Sequence, residues 1–87
     1  MNRIELDGRR MDSRAQTHAY LKEMLKFPAY YGNNLDALHD CLMELCDVKI
    51  VLRYQDSMLN ALGGYGQTML KVFRQAAKSN STIAFVS

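Results

Sequence analysis

The chain has 87 residues, of which 48% are apolar and 23% charged, with a single proline and a net charge of +2. That balance excludes a disordered tail, and the charged start (Arg3, Glu5, Asp7) excludes the apolar run of a signal peptide or a membrane span. One small domain covering 1–87 is expected, able to remove roughly 60 to 65% of its unfolded surface from water, in a reducing, cytoplasmic compartment.

In chain order, Arg3 to Asp7 alternates polar and apolar residues before Gly8, the pattern of a short edge strand closed by a turn. Asp12 or Ser13 can then cap a helix over 13–26, in which Thr17, Tyr20, Leu21, Met24 and Leu25 recur at helical spacing until Pro28 forbids continuation. After the loop 27–33, Asn34 is a good N-cap for a helix over 35–45 whose apolar stripe is Leu35, Leu38, Leu42 and Leu45. Gly32 is expected to relieve strain where the loop enters that helix.

The run Ile50-Val51-Leu52 within 48–54 reads as a strand covered on both faces, hence the central one. A short helix over 56–62 closed by Gly63-Gly64, a stronger helix over 68–78 and a last strand over 81–86 complete the chain. Strands separated by helices pair in parallel, because a parallel neighbour needs a long connection. The fold class is therefore α/β, a three-stranded parallel sheet packed with helices.

Cys41 and Cys46 lie five apart on the second helix, about 7.5 Å in axial rise alone, which predicts two free thiols rather than a disulfide. Cys41 is expected to pack as a small apolar residue and Cys46 to fill the helix end. No Cys or His pair stands at metal-ligand spacing, so neither metal nor cofactor is expected.

The charges are unevenly placed. Residues 27–47 hold four acids and no Lys or Arg, giving −4, whereas the rest holds all 11 basic residues against five acids, giving +6. Asp36, Asp40 and Glu44 are spaced by four, and each such step drifts only about 40° around a helix, so the three carboxylates share one face opposite the leucine stripe. Like charges at this spacing each cost a helix about 0.2 to 0.5 kcal/mol, and no lysine on the helix relieves them. Repulsion left in place points to a positively charged partner. Tyr30 and Tyr31, adjacent on the preceding loop, have the character of interface anchors, with one ring expected inside and the other outside.

The run Pro28-Ala29-Tyr30-Tyr31-Gly32-Asn33-Asn34-Leu35-Asp36-Ala37-Leu38-His39-Asp40-Cys41-Leu42 resembles the signature of the barstar family, intracellular inhibitors of extracellular ribonucleases. The resemblance extends from Ile4-Glu5-Leu6-Asp7-Gly8 to Val72-Phe73-Arg74-Gln75-Ala76 and the last strand. It implies a barstar-like fold and an inhibitor that plugs a nuclease cleft with the second helix and its preceding loop. Tyr30, Tyr31, Gly32, Asn34, Asp36 and Asp40 match the family's contact positions, with Asp40 at the most important carboxylate, standing in for a substrate phosphate. His39 replaces the family's tryptophan, Gln75 a glutamate that faces the nuclease and Leu45 another tryptophan, while Glu44 adds an acid. These departures leave the target open between a barnase-like enzyme, a different extracellular ribonuclease and another basic toxin domain.

Other readings are weaker. Consecutive residues His39, Asp40 and Cys41 point about 100° apart on a helix and cannot converge as a nucleophilic site. Asp36 and Asp40 on an open face have no buried environment to separate their pKa values for acid-base work. His18 has no evident partner and is expected at the surface or half-buried. The basic residues Arg3, Arg9, Arg10 and Arg14 lack the interleaved aromatics of an RNA-binding module, so direct nucleic-acid binding is not expected. The alternatives are an adaptor or regulator using the acidic face on a partner other than a nuclease and, behind it, an RNA-binding module on those N-terminal basic residues.

Overall fold

The computed structural model describes residues 2–87, and in it β1 (Asn2–Asp7), β2 (Val48–Arg53) and β3 (Ile83–Val86) form one sheet in the order β1-β2-β3. Both pairings are parallel, with Ile4 opposite Ile50 and Ile50 opposite Phe85. The β1–β2 connection carries a 3-10 turn (Gly8–Arg10), α1 (Arg14–Leu25) and α2 (Leu35–Glu44); the β2–β3 connection carries α3 (Gln55–Leu62) and α4 (Gly64–Ser79). The expected three-stranded parallel α/β fold is what forms.

Val48, Ile50, Val51 and Leu52 of β2 are all buried, so neighbouring side chains that point to opposite faces both meet protein. That makes β2 the central strand. β1 and β3 are edges: β1 presents Arg3 and Glu5 to solvent, and β3 is only four residues long.

The core joins Leu6 of the sheet to Leu21 and Leu25 of α1, Leu38 and Leu42 of α2, and Met69, Leu70 and Phe73 of α4. Phe73 stacks on Phe85 of β3 with ring centroids 4.8 Å apart. Ser13 caps α1, its hydroxyl accepting from the Gln16 amide at 3.2 Å. The helix stops at Lys26, which takes a left-handed conformation (φ 56°) ahead of Pro28.

The last helix differs from the sequence expectation. It begins at Gly64 rather than near residue 68, with a single residue, Gly63 (φ 58°, ψ −132°), serving as both the C-cap of α3 and the N-cap of α4. Gly66 is buried in the first turn of α4, where an added Cβ would lie 2.7 Å from Met58 Sδ. Gly66, not the Gly63-Gly64 pair, is what lets the two helices cross closely. The neighbouring strand is one residue shorter than expected, because Tyr54 leaves the extended region (φ 57°).

Gly8 is where the chain turns from β1 beneath the end of β2. A Cβ there would overlap the Tyr54 carbonyl and lie 2.9 Å from the Arg53 carbonyl oxygen, both backbone atoms that cannot rotate aside. Gly8→Ala is therefore expected to destabilise the fold by about 3 kcal/mol in urea unfolding. Gly64→Ala, with nothing within 4 Å of its added methyl, should be neutral or slightly stabilising.

Candidate functional site

The site is built on α2, and α2 is fixed at both ends by asparagines. Asn34 is its N-cap, with Oδ1 accepting from the Ala37 amide at 2.7 Å and Nδ2 donating to the Gly32 carbonyl at 3.2 Å. At the far end Asn80 Nδ2 donates to the carbonyls of Leu42 (3.2 Å), which also accepts from the Leu45 cap amide, and of Leu45 (2.8 Å), just beyond the helix. Sequence reasoning missed Asn80, because its partners lie 35 and 38 residues away. Leu38 and Leu42 are fully buried and Leu35 and Leu45 partly so, which turns the opposite side of α2 outward.

On that outer side Asp36, Asp40 and Glu44 are all exposed, the Asp40 side chain to 85%. Among the described residues none has a Lys or Arg nitrogen within 4 Å; the single side-chain nitrogen of a basic residue that close is His39 Nδ1, 3.9 Å from Asp40 Oδ1. His39 itself is half-buried. Other carboxylates are treated differently: Asp7 is paired with Arg9 and Glu5 with Arg53, and those guanidinium hydrogen bonds lower both carboxyl pKa values.

The two tyrosines divide as expected. Tyr30 is 80% exposed, whereas Tyr31 is 5% exposed and packs on Phe27 with centroids 4.9 Å apart. Tyr30, Tyr31, Gly32, Asp40, Cys41 and Glu44 line a 250 Å³ recess at the middle of the acidic face. Asn34 and Asp36 line a second recess of 540 Å³ with Arg14 and Tyr65. Gln75 is exposed on α4, which packs against α2, but lines neither recess.

Three expectations require correction. The strained residue at the entry to α2 is Asn33 (φ 55°), not Gly32, whose added Cβ would only crowd the Asn34 side chain at 3.2 Å. Cys46 is exposed beyond the end of α2 rather than filling it. His18 is neither at the surface nor half-buried: it is 1% exposed, with Nδ1 2.6 Å from the Tyr31 hydroxyl and Nε2 2.6 Å from the Tyr65 hydroxyl. Its partners are 13 and 47 residues away, so no local pattern announces them.

A neutral imidazole satisfies this arrangement, one ring nitrogen donating to a hydroxyl and the other accepting from the second. Burial lowers the His18 pKa and raises that of the Tyr31 hydroxyl, so both stay uncharged. The bridge fixes the loop that carries Tyr30 against α1 and α4. The basic residues near the N-terminus are also engaged: Arg9 lies over Tyr54 (3.9 Å), Arg10 over Tyr20 (5.1 Å) and Arg14 over Tyr65 (4.2 Å).

Two outcomes follow from the bridge and the thiols. The unfolded chain protonates its histidine as pH falls below about 6.5, while the folded chain resists, so stability is full above that pH and declines from there toward the lowered folded value. The urea midpoint should therefore drop between pH 7.5 and 5.5, with His18→Gln flattening that dependence and His18→Ala costing about 3 kcal/mol at neutral pH. A thiol reagent should label exposed Cys46 rapidly and Cys41 slowly, since burial, then the Glu44 and Asp40 charges, raise the Cys41 pKa.

Comparison with known proteins agrees with this architecture. The family model described as "Barstar (barnase inhibitor)" matches residues 1–86. A Bacillus subtilis (strain 168) protein named "Putative ribonuclease inhibitor YrdF" is 40% identical over 78 residues, covering 87% of this chain and 86% of that protein. A family match across the whole fold, together with the capped and outward-turned helix that carries the signature, establishes that the chain belongs to the barstar family.

Proposed function

We propose that this protein is an inhibitor of a secreted ribonuclease, held in the cytoplasm of the cell that makes the enzyme, and that it acts by seating α2 and the Tyr30 loop in the enzyme's cationic cleft. Membership of a family described as barnase inhibitors, and a relative named as a ribonuclease inhibitor, support the ribonuclease as the kind of partner. The observation that carries the mechanism is the set of three exposed carboxylates on one side of α2 with no Lys or Arg counter-ion among the described residues.

A site that cleaves RNA must bind phosphates and is therefore positive. Asp40, its side chain 85% exposed at the middle of the three, takes the place of a phosphate among the enzyme's cations, with charge-assisted hydrogen bonds as the main contact. Asp36 and Glu44 extend the negative field along the cleft, which accelerates encounter and makes it sensitive to salt. Tyr30 supplies an apolar surface beside them, and Tyr31, committed to His18, serves as the wall of the central recess. Gly32, Asn34, His39 and Gln75 complete the contact region. The enzyme is inhibited by occlusion, with no chemistry required of the inhibitor.

Titration against a panel of purified basic bacterial ribonucleases, barnase included, tests this. Stoichiometric inhibition of at least one is expected, weakened about a hundredfold or more by Asp40→Ala and unaffected by Asp56→Ala. Losses of that size are typical of alanine scans of protein interfaces, a barstar complex among them, so the scale is carried over from the family. Both variants should stay folded, with Asp40→Ala gaining a few tenths of a kcal/mol, about 0.2 to 0.5 per repulsion removed. No inhibition of any member, or equal effects of the two substitutions, overturns the proposal.

A further inference from the structure

The larger recess, 540 Å³, adjoins the acidic face at Asn34 and Asp36, yet a cation, Arg14, also lines it. Arg14, the first residue of α1, lies with its guanidinium carbon 4.2 Å from the Tyr65 ring centroid. That ring is itself anchored, its hydroxyl 2.6 Å from Nε2 of the buried His18. Stacking on an anchored ring holds the guanidinium plane while leaving its edge N–H donors free.

Arg14 also differs from the arginines that pair with the sheet's acids. Arg3, Arg9 and Arg53 each have a carboxylate within 4 Å, whereas among the described residues Arg14, Arg10 and Arg74 have none, and of these three only Arg14 lines a recess that adjoins the acidic face. Nor does it serve its own helix, since a cation in the first turn opposes the helix dipole and no acid there offsets it. The chain thus keeps an oriented, unpaired guanidinium beside the surface proposed to meet the nuclease.

We infer that Arg14 on Tyr65 is a carboxylate-receiving subsite at the border of the inhibitor face, and that the target ribonuclease carries an Asp or Glu side chain next to its cationic cleft that enters this recess. The inference rests on the ribonuclease-inhibitor reading and adds to it a chemical requirement on the partner. The planar fork of Arg14 suits a carboxylate bidentately. Asp36 in the same recess meets the cations that flank that acid on the enzyme, and it repels a nucleic-acid backbone, whose phosphates come in series. A face that is acidic throughout attracts any basic protein; one fixed cation penalises partners that lack an acid at the matching place.

The test uses a ribonuclease from the panel that the unmodified protein inhibits. Arg14→Glu is expected to weaken inhibition about tenfold or more, with Arg14→Lys intermediate. A charge-reversing substitution of the matching Asp or Glu in the nuclease to Lys should restore binding to Arg14→Glu. Because an acid suits the first turn of α1, Arg14→Glu should unfold no earlier than the parent in thermal melts, so weaker inhibition is not misfolding. Without the subsite, the added negative charge would bind a basic enzyme as well or better. Inhibition by Arg14→Glu equal to or stronger than the parent, while Asp40→Ala is weakened, overturns this inference alone. Saturable RNA binding that Arg14→Glu abolishes also overturns it. If the unmodified protein inhibits no ribonuclease, the underlying reading fails and this one with it.

Discussion

The buried imidazole of His18, held between the hydroxyls of Tyr31 and Tyr65, is the constraint on which the candidate surface depends. It joins three segments distant in the chain: α1, the loop leading into α2, and the start of α4. Each hydroxyl would otherwise be a polar group with restricted access to water, so the three side chains are satisfied together or not at all. The loop is thereby held in one conformation before any partner arrives, and less ordering remains to oppose binding.

The same restriction of motion applies to α2. Asn34 closes one end, Asn80 the other, and the leucines beneath leave a single way for the helix to lie. On this rigid support three carboxylates stand with no Lys or Arg nitrogen within 4 Å among the described residues, although arginines elsewhere are paired with Glu5 and Asp7. The separation costs helix stability and yields a field that only another molecule can neutralise. That is the physical difference between a solvated acidic surface and one suited to recognition.

Most of the fold was legible because its signals are local. The Ser13 and Asn34 caps, Pro28, the leucine stripe of α2 and the run Ile50-Val51-Leu52 each specify an element within a few residues. The start of α4 was not, because glycine is read as a breaker, and only the proximity of Met58 to Gly66 explains why it sits inside a helix. The acidic side of α2 and the exposure of one of the two tyrosines were likewise visible from spacing and adjacency. His18, Asn80 and the Arg14–Tyr65 pair were not, since their meaning lies in partners 13 to 51 residues away that only the folded chain brings close.

The sheet itself carries a last consequence. Three strands leave two open borders, and an open border is a template on which further chains can stack into aggregates. Here one border displays Arg3 and Glu5 and the other is only four residues long, so neither offers a long, greasy ladder to a stranger. Charged or abbreviated margins therefore let many copies of the fold share one solution without pairing strand to strand.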